Sequence, residues 1–331
     1  MMNKRILGLA LALLLVATWP YDATAQAPTA SAYPNKPVRI MVGASAGGGT
    51  DIIARMLAEK FTDVLRGTFV VENRPGASNT IAADLIAKAS ADGHTLLVAT
   101  NTGQAIAPHL IKLAFDPIKD LVPIALIVTV PNVLVVGNDV PAKNVLDLVA
   151  LMKAKPDDFK YASSGVGSTQ HIAGEGFKFA AGVKMIHVPY KGSSQAHLDL
   201  ISGKVQIMFD TTSSAMTHIR SGKLKALAVT SAQRSAELPN VPTLSEAGVP
   251  GFEMSTWYGL YTTAGTSKEV IARLQAETAP VLKLPEVQSK LKGLGGEPAQ
   301  ISADQFALLN RAEYERFGRL IREANIRIDG Q

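Results

Sequence analysis

The chain has 331 residues, with 33 Lys and Arg against 28 Asp and Glu and a formal net charge of +5. It has no cysteine, which excludes disulfides, thiolate catalysis and cysteine-held metals. Its charges are scattered, with no run of five of one sign, so nucleic acid is not an expected partner, while 47% apolar residues suffice for a large core.

Lys4 and Arg5 precede an apolar run from Ile6 to Ala17, and Ala23-Thr24-Ala25 fits the small-x-small cleavage pattern. Residues 1–25 therefore read as a signal peptide cut after Ala25, and the chain as exported. No later segment has 18 consecutive apolar residues. Residues 26–36, rich in Ala, Pro, Ser and Thr, read as a loose lead-in. The remaining length suggests two domains.

Strand and helix signals then alternate. Val38–Val42 is an apolar strand that stops at Gly43-Ala44-Ser45-Ala46-Gly47-Gly48-Gly49. Thr50-Asp51 reads as a capping pair opening a helix to Leu65. A strand at Phe69–Glu72, a helix at Asn79–Ala89 and a strand at Thr95–Thr100 follow. The pattern resumes with strands near Val133–Val136, Tyr161, Lys184–Val188, Val205–Phe209 and Ala226–Val229. Helices at Val145–Lys153, Thr169–Ala180, Gln195–Ile201 and Ser213–Ser221 separate them. Helices near Lys268–Leu282, Pro285–Leu291 and Ala303–Ala324 close the chain. Alternation of this kind implies parallel sheets covered on both faces. Ile124–Val136 and the aromatic-rich Gly251–Thr262 read as crossings between two lobes. The predicted fold is therefore α/β and two-lobed with two crossover segments: residues 26–130 with 255–331 form one lobe, 131–254 the other. The ligand cleft lies at the C-terminal ends of the strands.

Three groups of residues carry the chemistry. The Gly43–Asp51 loop bares backbone N–H groups at the positive end of a helix, where an anion can sit, and glycine lets the ligand approach closely. An ordinary βα turn needs the same residues. Gly43-Ala44-Ser45-Ala46-Gly47 also matches the G-x-S-x-G nucleophile elbow, but the strand that supplies the oxyanion hole in such hydrolases precedes the elbow, and nothing upstream can supply it here. No Lys follows the glycines, so the loop is not a P-loop. The second group, Tyr161 to His171, again reads as strand, Gly/Ser loop and helix, with Ser168 as cap and the N–H groups of Gly165 to Ser168 facing outward. The third is a set of strand ends: Thr100-Asn101, Tyr190, and Asp210, whose carboxylate reads either as a helix cap or as an acceptor for a ligand hydroxyl or amino group. The histidines show no metal-ligand spacing, so neither a metal nor a cofactor is expected.

Seven segments in order resemble the tripartite tricarboxylate transporter substrate-binding proteins, the Bug family. They are Tyr33-Pro34-x-Lys36-Pro37-Val38-Arg39-Ile40, the glycine loop ending in Thr50-Asp51, Val71-Glu72-Asn73-Arg74-Pro75-Gly76-Ala77, Ala91-Asp92-Gly93-His94-Thr95-Leu96, Tyr161 to Ser168, His187-Val188-Pro189-Tyr190-Lys191-Gly192, and Val241 to Gly248. The resemblance implies a Venus flytrap periplasmic-binding-protein fold and a location in the periplasm. It implies a small carboxylate as ligand and a membrane permease as partner, with the chain acting as a monomer and without chemistry on the ligand. By position the ligand-binding role falls on Ser45, Ala46, Gly47, Gly48, Gly49 and Asp51 in the first loop. In the second lobe it falls on Ser164, Gly165, Ser168, His171 and Asp210, with Thr100, Asn101 and Tyr190 at the rim. The Phe-Pro or Pro-Gly-Gly-Pro that family members often have is replaced in the first loop by smaller residues, which implies a wider pocket or looser ligand packing. The rival readings are an exported hydrolase using Ser45 or Ser168 and a sensor protein serving a membrane kinase.

Overall fold

A computed structural model describes residues 33–156, 158–250 and 253–323. The expected signal peptide, most of the lead-in, Gly251, Phe252 and the chain beyond residue 323 lie outside these described residues.

The first βαβ stretch runs β1 (Val38–Val42), α1 (Gly49–Leu65), β2 (Phe69–Asn73), α2 (Thr80–Ala87) and β3 (Thr95–Thr100). A long strand, β4 (Leu121–Gly137), leads into α3 (Val145–Ala154), β5 (Lys160–Ser163), α4 (Thr169–Ala181), β6 (Ile186–Pro189), α5 (Ser193–Ile201), β7 (Ile207–Thr211), α6 (Thr212–Arg220) and β8 (Leu224–Val229). The chain then returns through β9 (Ser255–Thr263) to α7 (Lys268–Lys283), α8 (Pro285–Gly293), the short β10 (Glu297–Pro298) and α9 (Ala303–Glu323). The strands lie in the order β2-β1-β3-β9-β4-β7-β5-β6, with β8 and β10 also paired to β4.

The sheet is mixed rather than all parallel, because both crossing segments are themselves strands. β1 pairs in parallel with β2 and β3, and β5 with β6 and β7, as βαβ units require. β9, however, runs antiparallel to β3 and β4, and β4 antiparallel to β7 and β8. Strand β4 changes partner midway: Leu121 to Pro131 register with β9, and Asn132 to Val136 with β7. Pro131, which has no N–H to give, sits at this change of partner, where a ladder bond is least missed.

Burial on both faces explains why the central strands read as unbroken apolar runs. Ile40 and Val42 pack under α1 with Phe61, Leu260 and Leu274, whereas Met41 between them joins the opposite cluster with Leu97, Tyr261 and Phe306. In the second lobe Leu134 and Val136 face Phe177 and Phe209, while Val133 and Val135 face Leu200 and Met208. Helix α9 joins the two lobes: Phe306 near its start packs on Trp257 and Tyr261, and Phe317 and Ile321 near its end belong to the second lobe's core. No helix among the described residues is long and apolar enough to cross a membrane.

Candidate ligand-binding cleft

The first loop is built by its backbone. Helix α1 begins at Gly49, two residues before the expected start, with Gly48 as an extended N-cap and no side-chain cap. Gly48 offers no side-chain oxygen, so the N–H groups of Thr50 and Asp51 carry the positive end of the helix uncapped, while that of Gly49 donates to Ser214 Oγ. Asp51 is not the cap. Its carboxylate reaches back to the Gly47 N–H at 2.9 Å and takes Asn73 Nδ2 at 3.0 Å and Arg55 Nε at 3.0 Å. Asn73 also donates to the Ala44 carbonyl at 3.0 Å, so one polar cluster fixes the loop's shape. Burial pushes the Asp51 carboxyl upward, but the bonds from Arg55, Gly47 and Asn73 outweigh it and hold its pKa below the ordinary carboxylate value.

The second loop differs from expectation. Its N–H groups do not stay open: Gly165 donates to Ser163 Oγ at 3.2 Å, Gly167 to His171 Nδ1 at 3.1 Å, and Ser168 to the Gly165 carbonyl at 3.1 Å. A loop with positive φ at Gly165 and Gly167 turns tightly enough to satisfy its own amides. Ser168 does cap α4, accepting from the His171 N–H at 3.1 Å. The loop instead offers side chains, Ser164, Thr169 and Gln170.

Behind them lies Asp210, fully buried. Its Oδ1 accepts from Ser193 Oγ at 2.7 Å, the Thr211 N–H at 2.8 Å and Gln170 Nε2 at 3.1 Å, and its Oδ2 lies 2.6 Å from His197 Nε2. Asp210 therefore organises the cleft wall and is covered by it. Tyr190 donates to Asp199 at 2.9 Å and stands off the cleft.

Between the loops is a narrow cleft, walled by Gly48, Gly49, Thr50, Asn79, Thr100 and Thr102 from one side and by Ser164, Thr169, Gln170, Ser193, Thr211 and Ser214 from the other, with Ala44, Thr256 and Tyr258 completing it. Of the residues expected from the sequence, Gly48, Gly49, Thr100 and Ser164 line it. Ala46 and Gly47 are exposed on the loop's outer turn. Ser45 Oγ meets Ser194 Oγ at 2.9 Å across the lobes. Asn101 is buried, with Nδ2 donating to the Ser255 carbonyl at 3.0 Å. Gly165, Ser168, His171 and Asp210 stand behind the wall. Gln170, Ser193, Thr211 and Ser214 were missed because no local pattern distinguishes a cleft-facing polar residue from a helix cap.

The wall is polar but carries no charged side chain. Thr100 Oγ1 is buried and has no hydrogen-bond partner among the described residues. A buried hydroxyl left unpaired costs about 1–3 kcal/mol, so a ligand group that pairs with it gains that much. The lobes touch here: the Gly49 N–H donates to Ser214 Oγ at 2.8 Å, Thr169 Oγ1 meets Thr256 Oγ1 at 2.6 Å, and Ser78 Oγ bonds the Val166 carbonyl. Burial pushes the Tyr258 hydroxyl up to about 12, so it stays neutral beside Ser213 Oγ, 2.7 Å away. The hydroxyls of Ser45 and Ser168 serve a lobe contact and a helix cap, not a nucleophile's geometry. Among the described residues no group of three or more His, Asp or Glu is placed to hold a metal ion.

Under the second loop, His187 is stacked between Tyr161, at 4.8 Å, and His171, at 4.2 Å, with Nε2 2.6 Å from Ser163 Oγ. Burial, then repulsion from His171 and Lys178, pushes its pKa down to about 3. A histidine with a lowered folded pKa stabilises the fold above its unfolded pKa of about 6.5, and that stability is lost as pH falls towards 3. The melting temperature should thus fall between pH 6.5 and 4.5, and His187→Phe should flatten that slope. An unchanged slope in differential scanning calorimetry would count against this account.

The chain matches the tripartite tricarboxylate transporter family receptor model over residues 53–326. It is 33% identical to protein BugT of Bordetella pertussis over 306 residues, 91% of this chain and 93% of that one. Among solved structures it is similar to R. palustris Rpa4515 with adipate (33% identity, TM-score 0.86, 89% of this chain and 99% of that one). It is likewise similar to MatC from Rhodopseudomonas palustris with bound malate (31% identity, TM-score 0.83, 87% and 100%), and to the periplasmic binding protein BugD (34% identity, TM-score 0.86, 89% and 99%). With its two-lobed α/β fold and its polar interlobe cleft, the chain belongs to the tripartite tricarboxylate transporter receptor family.

Proposed function

We propose that this protein is a periplasmic receptor that captures a small carboxylate in the interlobe cleft and presents it to a tripartite tricarboxylate-type permease, with no chemistry on the ligand. One observation carries the reading: an uncapped helix N-terminus, with its first-turn N–H groups and an unpartnered Thr100 hydroxyl, faces a wall from the other lobe across a cleft without charged side chains. Adipate in Rpa4515 and malate in MatC support a carboxylate as the guest. One carboxylate group rests on the α1 N-terminus near Gly48 to Thr50, and the rest of the acid reaches Ser164, Gln170 and Ser193. Residues 1–25 direct export. The hinge lies at Pro131-Asn132 and near Met254-Ser255, where the chain passes between the lobes. Contacts that exist only when the lobes meet, such as Gly49 to Ser214, shift the population towards the closed form that the permease reads.

Isothermal titration of the purified protein, freed of carried-over ligand by unfolding and refolding, tests this. At least one C4–C6 dicarboxylate should bind with Kd in the range of about 1 μM to 1 mM, or roughly −8 to −4 kcal/mol. Silence across the whole panel, or turnover of the acid, would overturn the reading.

A further inference from the structure

Resting on that reading, we infer that the Asp210 cluster turns acceptors towards the cleft, opposite donors at the start of α1, and makes the protein select acids bearing a hydroxyl or ammonium donor over unsubstituted acids of the same length.

The polarity follows from counting hydrogens. A carboxylate only accepts. Asp210 is fully buried and draws in a hydrogen from Ser193 Oγ (2.7 Å), from Gln170 Nε2 (3.1 Å) and from the Thr211 N–H (2.8 Å). The second Gln170 hydrogen goes to Ser193 Oγ at 3.2 Å. Turning the Gln170 amide over would set its oxygen against the Asp210 carboxylate and lose both bonds, so the orientation is fixed. Gln170 Oε1 then receives the Ser164 hydroxyl hydrogen. Ser164, Gln170 and Ser193 all line the cleft, all have their side-chain hydrogens committed, and each keeps at least one lone pair.

The first lobe brings donors: the N–H groups of Thr50 and Asp51 in the α1 first turn and the unpartnered Thr100 hydroxyl. One end of the cleft therefore welcomes a carboxylate, while at the other an anion would meet the lone pairs of Ser164, Gln170 and Ser193. A group with O–H or N–H to give meets three acceptors. Sites built to pair a donor reject the analogue that lacks it strongly, because the buried acceptors are left unpaired.

The test is isothermal titration of the refolded wild-type chain with matched acids: succinate against malate and aspartate, and glutarate against 2-hydroxyglutarate and glutamate. At the chain length that binds, the hydroxy or amino acid should bind at least about tenfold tighter than its unsubstituted partner. Equal or tighter binding of the unsubstituted acid overturns this inference and leaves the receptor reading standing. No binding by any acid in either series overturns this inference, and silence of adipate as well removes the receptor reading with it. Ser193→Ala should cut the ratio of the two affinities below about threefold. A preference kept in full in that variant would also overturn the assignment.

Discussion

Gly49→Ala should weaken carboxylate binding by about 10- to 100-fold while leaving the ligand-free melting temperature nearly unchanged. A Cβ at this position would press into the Ser213 hydroxyl and lie 2.8 Å from Tyr258 Oη and 3.0 Å from Ser214 Oγ. Ser213 and Ser214 belong to the other lobe, so the added methyl acts chiefly when the lobes meet. Overpacking of this kind costs about 1–3 kcal/mol, and 1.4 kcal/mol is tenfold in affinity. With the lobes apart the methyl meets only the Tyr258 hydroxyl, and alanine at a first helical position is a good helix former. Calorimetric titration beside a melting curve separates the two effects. Unchanged affinity, or a collapsed melting temperature with affinity intact, would mean that Gly49 does not lie on the closing surface.

Asp210→Ala should destabilise the protein outright. The substitution strips a fully buried carboxylate from Ser193, Gln170, Thr211 and His197 at once. Removing one side of a buried polar cluster costs about 3–5 kcal/mol, because the partners left behind stay dry and unpaired. At about 2.1 cal/mol/K of unfolding entropy per residue over about 300 residues, each kcal/mol is worth about 1.6 °C, and the melting temperature should fall by roughly 5–8 °C. Binding should fall too, since Gln170 loses the partner that fixes its amide. A shift below about 2 °C in calorimetry would show that water replaces the carboxylate and that the cluster does not organise the wall.

The lobed α/β architecture was legible because its signals are local. Strand β1 ends where Val42 gives way to a glycine run, β3 occupies the predicted Thr95–Thr100, and Ser168 caps α4 as its position before Thr169 suggested. The antiparallel strands were less legible, since a long buried apolar run looks alike whether it pairs or crosses. The site was legible in part. The glycine loop announces a helix start, and that start lines the cleft. Whether an amide is open or already satisfied depends on partners the sequence does not align: Gly167 finds His171 four residues on, and Gly49 finds Ser214 165 residues away. The polar wall is hidden for the same reason. Gln170 becomes a site residue only because Asp210, forty residues later, comes within 3.1 Å.

A crystal structure of the protein with its tightest-binding acid decides where the carboxylate is held. One ligand carboxylate oxygen should lie about 2.7–3.2 Å from a first-turn N–H of α1, with the far end of the acid against Ser164, Gln170 or Ser193. A carboxylate held instead by a lysine or arginine elsewhere, with the α1 N-terminus facing solvent, would contradict it.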